Sequence, residues 1–241
     1  MTQITYLDHS GFMVKSDKVI MVFDYFRDPA HKVVKTLDKY PDMPVVFFVS
    51  HYSPEHFNHV IFNLGQSHER AYVISNEVHS QEVQSDLAVS WMSHGDIAEN
   101  LPGGLKVRAY GIHGQGVSYL VTTPDGKTFF HGGGLCVDTR KKTVDPEDIK
   151  KHDEQYRIIV NQIAEDNAAV DVAFMPVDIE DGPDFAQGAT FFLEKVNVGM
   201  FFPFHVEDPD AKACDFKQYP FTKQVNTQLL CLVKPGESME I

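Results

Sequence analysis

The sequence predicts a mixed α/β fold, and three stretches carry that expectation. Val45-Val46-Phe47-Phe48-Val49 is a run of β-branched and aromatic residues with the composition of a buried strand, although periodicity alone leaves a short buried helix open. From Leu105 to His131 the pattern is β, with a hairpin turn at Thr123-Pro124-Asp125-Gly126-Lys127 in which Pro fixes φ, Asp bonds locally and Gly takes a positive φ. Asp145-Pro146-Glu147-Asp148 is a helix start: Asp145 suits the N-cap, Pro146 the first turn, and the acids the positive helix end. Ile149, Tyr156, Ile159, Val160 and Ile163 then recur on one helical face, which reads as core packing rather than a cofactor box.

In chain order, residues 3–24 read as a strand series. Ile4 and Tyr6, then Phe12 and Val14, alternate, and Val19–Phe23 is continuously apolar; His9-Ser10-Gly11 and Ser16-Asp17-Lys18 mark the turns. A polar connection over 27–44 holds a short helix around His31–Leu37. Val60–Leu64 reads as a helical turn and Tyr72–Ser75 as a strand. Asn76 is placed to cap a helix over Glu77–Ser85. Ala88–Met92 is a short strand with the only tryptophan, Trp91, and Pro102-Gly103-Gly104 is a turn. Leu105–Tyr110, Gly116–Thr122 and Phe129–His131 are strands. Val170–Met175 follows the long helix as a buried strand. A helix over Asp184–Val196, a strand over Val198–Phe204 and a closing segment from Gln228 to the C-terminus complete the chain.

Composition bounds the function. A chain of 241 residues is expected to be one domain over 1–241, and 43% hydrophobic content with 12% aromatics supports a sizeable core. No apolar run approaches the ~18–20 residues needed to span a bilayer. The N-terminus lacks the basic start and apolar core of a signal peptide. Cys136, Cys214 and Cys231 lie far apart in no metal-like spacing, so a reduced, cytoplasmic protein is expected. The formal charge of −13 argues against nucleic-acid and anionic-membrane partners, although a local basic patch would escape this average; a small-molecule substrate or ligand is expected. Gly132-Gly133-Gly134 has neither the Lys-Ser/Thr of a P-loop nor dinucleotide spacing, and no Gly-x-Ser-x-Gly elbow occurs.

The buried run at Val45–Val49 breaks into Ser50-His51-Tyr52-Ser53-Pro54-Glu55-His56-Phe57-Asn58. Metal-capable side chains at the end of a buried strand are where layered α/β folds place their chemistry. This loop resembles the metal loop of the metallo-β-lactamase superfamily, His-x-His-x-Asp-His. The outer histidines, His51 and His56, match; Ser53 and Glu55 stand where the second His and the Asp would be. Other landmarks are similar to one branch of that superfamily and occur in order. Tyr6–Phe12 resembles an "HSGF" element, Phe23-Asp24-Tyr25 an "FDY" element and Pro176-Val177-Asp178 a "PLD" element. His131-Gly132-Gly133-Gly134-Leu135 is similar to "HAGDLN", with Gly134 in place of the Asp, and Phe202-Pro203-Phe204-His205 is similar to the element carrying the last metal-ligating His.

The resemblance implies a four-layer αββα sandwich and a metal-dependent hydrolase-like protein. It carries metal-ligand roles to His51, Glu55, His56 and His205. A role as orienting partner of a ligating imidazole goes to Asp24. His9, Ser53, His113, His131, Gly134 and Asp178 are additional pocket candidates, with His113 loosely where a third-ligand loop falls. Ser53 is a poor neutral ligand and Gly134 has no side chain, so each of the two metal sets loses a group. The expectation is at most one divalent ion, zinc first, bound by a His-His-Glu set, or none. Two functions follow: a one-metal hydrolase, or a catalytically inactive relative whose pocket binds a ligand or another protein. Fold analogy does not choose between them.

Overall fold

The computed structural model describes residues 1–83, 86–112, 116–136, 145–177, 185–205, 214 and 226–241, with nothing to be said of the Pro146 side chain. The expected strands assemble into two seven-stranded mixed sheets. The first contains β1 (Gln3–Asp8), β2 (Gly11–Lys15), β3 (Ile20–Phe23), β4 (Val45–Val49), β5 (Arg70–Ser75), β6 (Val89–Met92) and the C-terminal β14 (Ser238–Glu240), in the order β14-β1-β2-β3-β4-β5-β6. The second contains β7 (Ile97–Leu101), β8 (Leu105–Gly111), β9 (Val117–Thr122), β10 (Thr128–His131), β11 (Val170–Pro176), β12 (Val198–Phe204) and β13 (Gln228–Leu229), in the order β13-β12-β11-β10-β9-β8-β7. Pairing is parallel from β3 to β6 and from β10 to β13, and antiparallel elsewhere.

The continuous apolar runs are explained by burial on both faces. In β4, Val46 and Phe48 point into the core between the sheets, while Val45, Phe47 and Val49 point outward beneath Val33 and Leu37 of α1 (Lys32–Lys39). On the far side, Phe130 and Ala173 of the second sheet pack under Tyr156, Val160 and Ile163 of α2 (Pro146–Asp166) and Phe192 of α3 (Gln187–Lys195). Helix, sheet, sheet, helix is therefore the layering. The α2 start is as expected: the Asp145 carboxylate accepts from the Glu147 backbone N–H at 2.8 Å, and the apolar stripe is buried.

Three expectations need correction. The segment after β5 is not an α-helix among the described residues; it is a turn followed by a 3₁₀ turn at Ser80–Glu82. Asn76 donates its amide to Ser93 Oγ at 2.7 Å instead of capping, and Glu77 is drawn toward His51. The strand β7 was not anticipated, because Glu99 and Asn100 break its apolar alternation and it lies at a sheet edge. Cys214 and Cys231, expected to be reduced, form a disulfide with Cα atoms 5.8 Å apart. Their separation of 17 residues in sequence concealed this; β13 pairs parallel with β12, and Cys231 lies two residues past its end. No described helix is long and apolar enough to cross a membrane.

Candidate functional site

The ends of β1, β3, β4, β10 and β12 converge at one edge between the two sheets, and each delivers a polar residue there. The most buried of these is Asp24, just past β3 and fully shielded from solvent. Its Oδ1 accepts the Ser50 backbone N–H at 2.8 Å. Its Oδ2 accepts the Ser50 hydroxyl at 2.5 Å and the His56 Nδ1–H at 2.7 Å. Burial alone would raise the Asp24 pKa, but the adjoining His56 and His131 imidazoles and the hydrogen bonds from His56 and Ser50 outweigh it and hold it below the ordinary carboxylate value. A carboxylate accepting at Nδ1 leaves Nε2 of His56 with its lone pair, the form in which an imidazole ligates a metal.

His131 is also buried, but its ring is fully engaged. Nε2–H donates to the Ser10 carbonyl at 2.9 Å, and Nδ1 accepts the Gly133 N–H at 3.2 Å. The ring stacks on Phe23 at 5.2 Å and on Phe204 at 5.2 Å. Burial lowers its pKa, so it stands neutral and fastens the first sheet to the second. Ser10 extends this clamp: its hydroxyl donates to the backbone carbonyl of Glu55 at 2.9 Å. Tyr119 donates its hydroxyl to the Val49 carbonyl at 2.8 Å, and Val117 N–H donates to the Ser50 carbonyl at 2.9 Å, so β9 also holds the end of β4.

Around this frame stand four histidine rings. His56 and His205 have centroids 6.1 Å apart, His51 and His56 5.9 Å, His9 and His56 6.1 Å, and His9 and His205 4.1 Å. Metal–nitrogen bonds of ~2.0–2.1 Å place two imidazole centroids on one tetrahedral ion about 5 Å apart. The rings are thus within about 1 Å of a ligating separation. As they stand, no three His, Cys, Asp or Glu side chains among the described residues are gathered tightly enough to enclose an ion. His205 Nε2 is buried without a hydrogen-bond partner among the described residues. Burial, with the neighbouring His9 and His56, pushes the His205 pKa well below its ordinary value. An orphaned, neutral imidazole nitrogen beside a second imidazole already oriented by a carboxylate suits a metal cation.

Backbone strain concentrates here. Of five non-glycine residues with positive φ among the described residues, His9 (51°), Asp24 (43°) and His205 (63°) lie in this site. Asp8 supports the His9 turn: its Oδ1 accepts the His9 N–H at 2.9 Å while Oδ2 pairs with Arg27.

The other sequence candidates fall as follows. His51 is half-buried and its Nδ1 pairs with Glu77 Oε2 at 2.9 Å. Glu55 is exposed and its carboxylate accepts from Ser53 Oγ at 3.3 Å. Gly134 lies beside the site with no positive φ, unlike Gly133. His113 and Asp178 lie outside the described residues. Sequence reasoning missed Ser50, Glu77, Gly116 and Gly133. A Cβ on Gly116 would collide with the Ser50 carbonyl, and one on Gly133 with the Val117 carbonyl and the Ser50 side chain. The glycine triplet is thus partly a steric requirement of close packing against Ser50; nothing in the sequence marked Glu77.

No protein-family model and no curated protein matches this sequence. Solved structures do. Igni18, described as a novel metallo hydrolase from the hyperthermophilic archaeon Ignicoccus hospitalis, superposes with a TM-score of 0.65 at 19% identity, covering 100% of this chain and 99% of its own. The metallo-β-lactamase fold protein YhfI from Bacillus subtilis gives 0.59 at 11%, covering 99% and 98%. CmlA, a diiron β-hydroxylase from Streptomyces venezuelae, gives 0.62 at 9%, with 100% of this chain against 54% of that one. At these identities the likeness establishes the fold: this chain has the metallo-β-lactamase fold.

Proposed function

We propose that this protein is a metal-dependent hydrolase-like protein of the metallo-β-lactamase fold that holds one divalent ion at His56 and His205, with His51 at the rim, and acts on a small molecule. The observation that carries this reading is the buried His205 Nε2, without a hydrogen-bond partner among the described residues, beside a His56 ring whose Nδ1 is committed to Asp24. Zinc fits these donors first, and iron also accepts imidazole. When bound, the ion supplies a Lewis acid that polarises a carbonyl or phosphoryl oxygen and makes water reactive near neutral pH.

The chain's own contribution is positional. Asp24 fixes the His56 tautomer, Ser50 fixes Asp24, and neutral His131 adds no cation beside the ion. Glu77 orients His51. The Phe23 and Phe204 rings stack on His131 and hold it in the buried core. The test is hydrolysis of generic ester and phosphodiester substrates by protein stripped of metal and then given Zn²⁺. Activity that requires metal and falls at least tenfold in His56→Ala supports the reading; no metal-dependent turnover on any substrate counts against it.

A second reading, an inactive relative that uses the pocket for a ligand or partner, draws on the exposed Glu55 and on the groups absent at Ser53 and Gly134.

A further inference from the structure

We infer that His9 is the third protein ligand of the ion, taking the place that the sequence pattern assigned to Glu55; this rests on the metal-binding reading above. Three observations converge. His9, His56 and His205 form a mutual triangle of rings with centroid separations of 4.1, 6.1 and 6.1 Å. Their interplanar angles of 50°, 84° and 73° show that the rings do not stack flat but meet edgewise or tilted, so in-plane nitrogen lone pairs can be aimed at a shared point. The Glu55 carboxylate, by contrast, is exposed and bonded to Ser53, while the Glu55 backbone is fastened by Ser10.

The local backbone supports the assignment. His9 is held in the left-handed region at φ 51° by the Asp8 carboxylate on its own N–H. A non-glycine residue in this region is uncommon, although His, like Asn and Asp, enters it more readily than most, and the position merits a functional explanation when the side chain is turned toward other imidazoles. The same conformation occurs at His205, its neighbour in the triangle. Two strand ends, one from each sheet, therefore use a backbone reversal to turn an imidazole into one space. A shift of about 1 Å in the rings would bring them to ligating separation, as a three-imidazole face of the kind that leaves a coordination position open to a substrate.

The test is calorimetric titration of metal-free protein with Zn²⁺ alone, comparing wild type with His9→Asn and Glu55→Gln. Asn tolerates the left-handed backbone at position 9, cannot reach the position of Nε2, and offers at the position of Nδ1 only a neutral amide, which is not among zinc's usual ligands. Groups that merely orient a ligand cost ~10–100-fold in metal affinity when removed, so loss of a ligand should cost about 100-fold or more. We expect that loss in His9→Asn, and a change of no more than about threefold in Glu55→Gln, with Co²⁺ giving an altered visible spectrum only in His9→Asn. Thermal melting of the metal-free proteins, unchanged within a few degrees, shows that the fold is intact; if His9→Asn melts early, His9→Gln replaces it. Wild-type affinity in His9→Asn with a loss in Glu55→Gln overturns this inference and leaves the metal reading standing. A wild type that binds no Zn²⁺ overturns both.

Discussion

Replacing Asp24 by Asn isolates the part of the site that sets the chemistry of His56. Asp24 has φ 43°, a conformation Asn adopts as readily as Asp, so the backbone is left undisturbed. The buried carboxylate accepts three hydrogen bonds, two from Ser50 and one from His56. An amide of the same shape retains one acceptor oxygen and turns an NH₂ donor toward groups that were donating. Bonds to a charged partner are worth ~1.5–3 kcal/mol and neutral ones ~0.5–1.5 kcal/mol, so the variant should lose about 2–4 kcal/mol of stability. If the NH₂ faces His56, Nδ1 must accept, and the ring proton moves to Nε2, the nitrogen offered to the ion. Zinc affinity should then fall ~10–100-fold, the range for removing an orienting partner. Urea unfolding of metal-free protein gives the first quantity, Zn²⁺ titration the second, and ¹⁵N chemical shifts of the His56 ring the tautomer. A variant that keeps the proton on Nδ1 and binds Zn²⁺ as wild type does would refute the reasoning.

Other consequences are open to test. Gly133→Ala places a Cβ 2.6 Å from Ser50 Cβ at φ 54°; left-handed strain of ~1–2 kcal/mol and overpacking of ~1–3 kcal/mol should together cost about 2–5 kcal/mol in urea, and a cost under about 1 kcal/mol would contradict the packing described. Acid sensitivity follows from three shifts of the same sign. Asp24 is lowered from 3.8 and His131 and His205 from 6.5, so the unfolded chain binds more protons; stability is full above about pH 6.5 and is lost as pH falls, first through the histidines and then through the folded value of Asp24. Urea midpoints measured from pH 4 to 8 should decline below pH 6.5, and a flat profile would argue against neutral buried imidazoles. The combined variant Ser53→His, Glu55→Asp, Gly134→Asp should bind a second Zn²⁺. Gly134 has no positive φ, so the new carboxylate enters without left-handed strain; a stoichiometry unchanged from wild type would show that the surrounding geometry, not the missing groups, limits the site.

Much of the fold was readable because the core strands are buried on both faces and so appear as apolar runs. Val45–Val49 and Val19–Phe23 needed no periodicity to be recognised, and the α2 cap at Asp145 announced itself by residue type. What failed depended on partners distant in sequence. The helix expected after Asn76 gave way because Glu77 finds His51 across the sheet end, 26 residues away. Cys214 and Cys231 are joined across 17 residues of sequence, a pairing that no spacing announced. For the site, Asp24, His56 and His205 could be placed from the resemblance. Ser50, which ties Asp24 to the loop, is an ordinary serine at a strand end. His131 illustrates the limit from the other side: a histidine expected only as a pocket candidate has both nitrogens engaged, Nε2 with the Ser10 carbonyl of the other sheet and Nδ1 with the Gly133 N–H.

The central claim is one ion held by buried imidazoles. Metal content of protein purified without chelator or added metal, and then dialysed extensively, tests it most directly. About one equivalent of a single divalent ion is expected in the wild type, falling below about one tenth in His205→Ala, which removes the buried Nε2 that has no partner among the described residues. Two equivalents in the wild type, or one equivalent that persists in His205→Ala, would contradict it.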